Sequence, residues 1–280
     1  MAFISVRAPV SLKLRVQSGP PVRIAPAGAE VVLRDADDTP RAYGSRDADG
    51  FRIHFPDLAD FSVRNGEDEI VAETRAPPAL VHDLFRTAVI PLVLQASGYE
   101  ALHASAVRVE TGVAAFCGFS GSGKSTVAYG LSRRGYPLWG DDAVVFTAEE
   151  ERTVSCFPIP FTLSLRDASR EFFGVRAPRV EVVENQREAS TLAAVVALER
   201  SSDEAPVVEH VPLSDAVRLL LPHAYRFTLA DRTRTKRTVE TYLDLATSVP
   251  VIRARYEPGF AELPALLDAI DSVLADIERA

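Results

Sequence analysis

One eight-residue run constrains this chain more than anything else in it: Gly118-Phe119-Ser120-Gly121-Ser122-Gly123-Lys124-Ser125. It satisfies the phosphate-loop pattern G-x-x-x-x-G-K-[ST] at every specified position. Four apolar residues, Val113 to Phe116, precede it as a buried strand, and Cys117 is small enough for a crowded strand end. A helical pattern begins at Ser125 and runs through TVAYGLSRRG. Strand, glycine loop and helix in that order form the β-loop-α unit of an α/β domain. The glycines let backbone N–H groups turn inward around a phosphate, and the helix N-terminus adds partial positive charge. The pattern therefore predicts a nucleotide site at Gly118, Ser120, Gly121, Ser122, Gly123, Lys124, Ser125 and Thr126. Lys124 reaches the β- and γ-phosphates and the Ser125 hydroxyl ligates Mg²⁺, so ATP and Mg²⁺ are the expected ligands.

The rest of the composition says how such a site must work. Of 280 residues, 47% are hydrophobic and 25% charged, which places the chain among folded globular proteins. Its two cysteines, Cys117 and Cys156, lie in no CxxC or metal spacing, so a reducing, cytoplasmic setting is expected. No uninterrupted apolar run approaches a membrane span, and MAFISVRAPVSLKLR alternates apolar and polar positions where a signal peptide needs a continuous stretch. A net charge of −8 gives no general attraction to nucleic acid or anionic lipid, so neither is an expected partner. A phosphate-bearing ligand has to be held by a local constellation. A homo-oligomeric state is left open.

Residues 1–78 read as short β segments: Phe3 to Arg15, Pro21 to Ile24, Glu30 to Arg34, Phe51 to Phe55, Phe61 to Arg64 and Glu69 to Glu73. Turn clusters separate them, among them Asp35-Ala36-Asp37-Asp38 and Asn65-Gly66, the latter the signature of a type I′ hairpin. This predicts a smaller, mainly antiparallel β module. ALVHDLFRTAVIPLVLQASG then has apolar positions at helical spacing up to Gly98. From residue 79 to 280 the chain reads as one α/β catalytic domain. Beyond the phosphate loop it has strands over Ala143 to Phe146, Val154 to Phe157, Thr191 to Leu198, Val207 to Val211 and Val249 to Arg255. Its further helices are predicted over Leu213 to Leu221, Thr238 to Ala246 and Phe260 to Glu278.

Two further features carry chemistry. Asp141-Asp142 sits at a junction before the apolar strand AVVF, and in open α/β sheets such junctions are where ligands bind. One carboxylate can help hold Mg²⁺ and the other can accept a proton from an attacking hydroxyl. Taken alone, the pair also fits an ordinary solvated acidic turn. His103 lies in the apolar run Leu102-His103-Ala104-Ser105-Ala106. Its near-neutral pKa suits proton handling or phosphate contact, though a histidine in an apolar strand is more often a packed, hydrogen-bonded residue.

Taken together, ALHASAV, GFSGSGKST and LSRRGYPLWGDDAV resemble the catalytic domain of the HPr kinase/phosphorylase family. They are most similar to its stand-alone serine kinases, including those that phosphorylate lasso precursor peptides. The shared features are the spacings from His103 to Lys124 and from Lys124 to Asp141. The resemblance is concentrated in Leu102 to Val144 and extends with falling specificity over about residues 50 to 260. It implies a fold related to phosphoenolpyruvate carboxykinase. It also implies Asp141 as the base on the acceptor hydroxyl, Asp142 near the Mg²⁺ site with Ser125, and His103 and Lys124 close to the transferred phosphate. Two departures stand out: Thr126 replaces the usual Glu after the loop serine, and the downstream glycine- and asparagine-containing segment linked to the phosphorylase reaction has no counterpart.

The function expected from this is an ATP-dependent kinase acting on a serine-type hydroxyl of a peptide or small protein. HPr phosphorylation, small-molecule hydroxyl phosphorylation and regulatory NTP hydrolysis are the alternatives. An Asp pair ahead of an apolar strand favours a kinase, because a switch NTPase usually carries its Asp at such a strand's end. Arg226, Arg232, Arg234, Lys236 and Arg237 form a basic cluster that reads equally as a segment closing on nucleotide or as a solvated face. Arg166 and Arg170 read as surface residues ahead of substrate contacts, Cys117 as a packed strand end, and Trp139 as apolar packing beside the acceptor site. Lys124→Ala should weaken Mg-ATP binding by about 1.5–3 kcal/mol, the worth of a charge-assisted contact, and abolish transfer; titration calorimetry on the two proteins measures the first effect directly.

Overall fold

The computed structural model describes the chain except residues 1–11, 20–24, 26, 35–36, 38, 149–152, 178, 182–187, 203–204, 226–231 and 280. The strand expected over Pro21 to Ile24, most of the one expected over Phe3 to Arg15, and Arg226 lie outside the described residues. Two compact units divide the chain. One comprises Met1–Ala101 with Tyr225–Thr238, the other Leu102–Ala224 with Val239–Ala280.

The first unit is a six-stranded sheet. Its strands are β1 (Lys13–Ser18), β2 (Glu30–Arg34), β3 (Pro40–Arg46), β4 (Gly50–Phe55), β5 (Ala59–Arg64) and β6 (Glu69–Thr74), in the order β1-β6-β5-β4-β3-β2. All neighbours are antiparallel except β1 and β6, which run parallel. Phe51, Ile53, Phe55, Phe61 and Val63 are buried, with Phe55 and Phe61 meeting edge to face. Strand β3 was not expected, because PRAYGSR carries a proline, a glycine and two arginines and shows no apolar alternation. The Asn65-Gly66 turn also differs from the type I′ expectation. Glu67 N–H closes it onto Arg64 O and Gly66 has φ +82°, but Asn65 is not among the residues with positive φ, which a type I′ turn requires.

Helices α1 (Pro78–Leu84) and α2 (Ile90–Ala96) join through a π-helical turn at Phe85–Val89 into one continuous helix. It is long and apolar enough to cross a membrane by length and composition, with mean hydropathy 1.3, and 61% of that window is buried inside the protein. It belongs to the first unit, whereas the sequence placed it with the phosphate loop. Arg46 donates to Ala96 O, Gln95 Nε2 to Tyr225 O and Tyr225 Oη to Thr87 O, so polar bonds tie the helix and the returning 225–238 segment to this unit.

Strand β7 (Glu100–Leu102) spans the division. The second unit then continues through β8 (Ala104–Val109), β9 (Gly112–Cys117), α3 (Lys124–Ser132), β10 (Leu138–Gly140), β11 (Val144–Ala148), β12 (Val154–Phe157), β13 (Thr162–Ser164), α4 (Asp167–Phe173), β14 (Arg179–Glu181), β15 (Ser190–Arg200), β16 (Val207–His210), α5 (Leu213–Leu220), α6 (Arg232–Ser248, whose first turns lie in the first unit), β17 (Val251–Tyr256) and α7 (Leu263–Arg279). Its mixed sheet contains the order β10-β8-β9-β15-β12-β11, with β17 parallel to β15 and β16 on β17. The fold is therefore α/β, as the β-loop-α unit requires.

Strand β9 is buried on both faces, which is why it reads as an unbroken apolar run. Val113, Ala115 and Cys117 pack into one core with Tyr242 and Leu245 of α6 and Leu220 of α5. Ala114 and Phe116 face the other core, built with Val127 and Leu131 of α3 and Leu266 and Ile270 of α7. Phe116→Ala should lower unfolding free energy by about 3–5 kcal/mol, the usual loss for emptying a buried aromatic site, as read from denaturant midpoints monitored by circular dichroism.

Candidate active site

The sheet register assembles the site. Strand β8 pairs antiparallel with β9 so that Ala104 faces Cys117 and Ser105 faces Phe116, bringing His103 and Ser105 to the start of the phosphate loop. Strand β10 pairs with β8 so that Gly140 faces Ala106, and the next residue, Asp141, falls beside Ser105. The loop then turns from β9 into α3. Gly118 has φ +151°, and a Cβ there would stand 2.7 Å from Leu198 O and 2.4 Å from Ser122 Oγ, so only glycine fits. Gly123, with φ +86°, caps α3.

Asp141 is buried, 5% exposed, and its carboxylate is held by three different segments. Its Oδ1 accepts hydrogen bonds from Ser105 Oγ at 2.5 Å and Ser125 Oγ at 2.9 Å, and its Oδ2 accepts one from Ser164 N–H at 3.2 Å. Burial first, and then the neighbouring Asp142 charge, push its pKa up to about 6, against the lowering effect of the three hydrogen bonds.

Asp142 instead lines the cavity. Its φ is +64°, and Ala143 N–H bonds Asp141 O at 2.8 Å across it, so a non-glycine residue is held at the apex of a tight three-residue turn. Such strain persists only where surrounding structure over-determines it, and it clusters at functional sites. The Asp142 carbonyl contacts His103 Nδ1 at 2.8 Å. A carbonyl can only accept, so Nδ1 carries the proton and Nε2 keeps its lone pair. Burial, with Lys124 adding to it, lowers the His103 pKa, which keeps the ring neutral at pH 7.

Lys124 Nζ donates to Gly118 O at 2.9 Å, and its pKa is lowered by burial, with Asp142 opposing. Thr126 Oγ1 pairs with Ser169 Oγ of α4 at 2.9 Å. One cavity of 470 Å³ is lined by His103, Ser120, Gly121, Gly123, Lys124, Ser125, Thr126 and Asp142. Its far wall is Tyr256, Pro258, Phe260, Leu263 and Leu266, an apolar surface suited to a nucleoside. For Mg²⁺, the chain offers hard oxygen donors at Ser125 and Asp141. Among the described residues no cluster of three or more His, Cys, Asp or Glu could hold a metal.

In comparisons with known proteins, no family model and no curated protein matches the chain. Among solved structures, the chain is similar to the Hpr(Ser) kinase/phosphatase from Coxiella burnetii, with 13% identity, a TM-score of 0.35 and coverage of 64% of this chain and 92% of that one.

Several residues of the site were not apparent in the sequence. Ser105 gives no signal beyond lying two residues from His103, and Ser164, Arg200, Tyr256 and His223 come from distant segments. His223 O accepts from His103 N–H at 2.7 Å, and burial pushes the His223 pKa down to about 4. Cys117 is buried, and its thiol is pushed up to about 12, as a packed strand end should be. The basic cluster serves the first unit. Arg234 pairs with buried Glu100 at 2.7 Å, Arg237 donates to Gly98 O, and Arg226 lies outside the described residues.

The Asp141 shift has a measurable consequence in the nucleotide-free protein. Its folded pKa of about 6 exceeds the unperturbed 3.8, so the carboxylate is destabilising above pH 6 and this penalty disappears as pH falls toward 4. Relative to Asp141→Asn, the wild type should therefore gain on the order of 2–3 kcal/mol between pH 7 and pH 4, seen as converging or crossing denaturation midpoints across that window.

Proposed function

We propose that this protein is an ATP-dependent kinase that transfers the γ-phosphoryl group to a serine-type hydroxyl of a peptide or small protein. The observation that carries the reading is the division of labour within the Asp pair. One carboxylate is bonded to the loop serine, and the other lines the same cavity as Lys124 and His103. In a kinase the second carboxylate takes the proton that the acceptor hydroxyl loses as it attacks, whereas in a hydrolytic enzyme the same position would orient water, so the acceptor assay below separates the two.

In this reading the loop backbone and Lys124 bind and orient the triphosphate. Ser125 and Asp141 would hold Mg²⁺, which supplies charge neutralisation at the phosphates when bound. Asp142 accepts the acceptor proton, and neutral His103 faces the phosphoryl group through Nε2. These assignments exchange the roles that the family resemblance implied for the two aspartates. The physical reason is that Asp141 has its oxygens engaged by Ser105, Ser125 and Ser164. A peptide acceptor other than HPr is supported by the two sequence departures, Thr126 and the missing downstream segment. A PEPCK-like arrangement and a cytoplasmic setting belong to the same proposal.

Asp142→Asn should keep Mg-ATP affinity and lose transfer by about 10²–10⁴-fold, the range for general acid–base catalysis. The assay incubates the protein with Mg-ATP and, separately, a serine-containing peptide encoded beside it or HPr, and reads the added phosphoryl group by mass spectrometry. Modification of HPr alone would move the acceptor assignment to the HPr enzymes, and ATP hydrolysis with neither acceptor modified would favour an NTPase.

A further inference from the structure

Two arginines from separate segments of the chain converge on Gly121 of the phosphate loop. Strand β15 runs parallel to β9 with Ala197 beside Cys117, and β17 runs parallel to β15 with Tyr256 beside Arg200. Arg200 and Tyr256 therefore end their strands at the level where the loop begins. Arg200 Nη2 donates to Gly121 O, and Tyr256 Oη donates to Ser122 O, so successive loop carbonyls are held by successive strand ends. Tyr256 and Arg200 also bond to each other through their side chains. Arg166, the residue at the N-terminal boundary of α4, reaches the same glycine. A Cβ built on Gly121 would lie 3.4 Å from Arg166 Nη1 and 3.4 Å from Arg200 Nη2.

Both guanidinium groups line the cavity that holds Lys124, and among the described residues neither forms an ion pair. Lys124 is faced by Asp142, whereas the two guanidinium groups, brought together beside Gly121 with no carboxylate among the described residues paired to either, repel one another, a cost that a bound anion would offset. The contacts to Gly121 O and to Tyr256 Oη use two of the five N–H donors of Arg200, leaving three able to meet phosphate oxygens. Gly121 is the fourth residue of the motif, in the loop whose counterpart in P-loop enzymes cradles the β- and γ-phosphates.

We propose that Arg200 is a catalytic residue built into this chain: a guanidinium supplied in cis to the γ-phosphoryl group and the β,γ-bridging oxygen, with Tyr256 positioning it and Arg166 as a second cation. The inference rests on the kinase reading. During transfer the bond from the bridging oxygen to the γ-phosphorus breaks as the acceptor oxygen bonds to that phosphorus. The acceptor proton passes to Asp142, and the bond's electron pair stays on the β-phosphate of ADP. Negative charge grows at the bridging oxygen, where Arg200 donates, so its contribution is larger in the transition state than in the bound nucleotide.

The test needs no acceptor. Binding of a fluorescent ADP with Mg²⁺ is titrated with and without aluminium fluoride, which mimics the transferring phosphoryl group. In the wild type, fluoride should tighten binding by at least about 10²-fold. Arg200→Ala changes an exposed side chain; its melting curve serves as the fold control. It should keep Mg-ADP affinity and lose at least about tenfold of the fluoride-dependent tightening. Lys124→Ala should lose affinity in both conditions. Full tightening in Arg200→Ala, an equal loss of affinity with and without fluoride, or a wild type that binds Mg-ADP without tightening overturns the proposal. A wild type that binds no Mg-ADP overturns the kinase reading itself, and the Arg200 role with it.

Discussion

The second unit depends on burying β9 on both faces. A strand with core above and below has no polar face, so its neighbours in the sheet and the helices on either side must cover it completely. Its end is then the first place where backbone N–H groups can turn outward, and the glycines at 118, 121 and 123 let them do so. The parallel neighbour β15, and β17 on its far side, run past that end to Arg200 and Tyr256 alongside the loop, and the antiparallel hairpin partner β8 begins beside Cys117. The phosphate loop, the histidine, the paired aspartates and the Arg200–Tyr256 pair are thus all consequences of where one apolar strand stops.

Electrostatics at that point is unusual for an acidic protein. Asp141 is buried and tethered by two hydroxyls and an amide, and the strained turn at Asp142 leaves the second carboxylate lining the cavity with Lys124. Burial lowers the pKa values of His103 and Lys124 and raises that of Asp141, so it opposes the charged form of all three groups. In the kinase reading proposed above, a nucleotide with its divalent cation would offset these costs, and the Arg166 and Arg200 guanidinium groups beside Gly121 line the same cavity.

Much of this was legible in the sequence, and for identifiable reasons. The motif names its residues because every position has its own geometric requirement, and β9 and α3 follow from an apolar run and a helical period. Helix 78–96 and the strands at 144–148, 154–157 and 190–200 were readable by the same periodicity. Strand β3 was not, because edge-proximal strands need little apolar alternation, and the type I′ reading of Asn65-Gly66 failed because two residues cannot report which φ the neighbouring strands impose. The unit division was also hidden. An amphipathic helix shows that it has a buried face, and its sequence does not say which sheet it is buried against.

The sequence by itself determined that this chain folds as an α/β protein with a strand, a glycine loop and a helix over 112–132, and it singled out Lys124, Ser125 and an Asp pair as candidates for one site. Those statements rest on local spacing, which neighbouring residues carry in full. Only the tertiary structure decided which aspartate faces the loop serine and which faces the cavity, and that Ser105, Ser164, Arg200 and Tyr256 stand beside them. Adjacent residues such as Asp141 and Asp142 are interchangeable in a pattern. What separates them is the register of β10 on β8 and a turn with positive φ, and both are set by strand pairings between residues far apart in the chain.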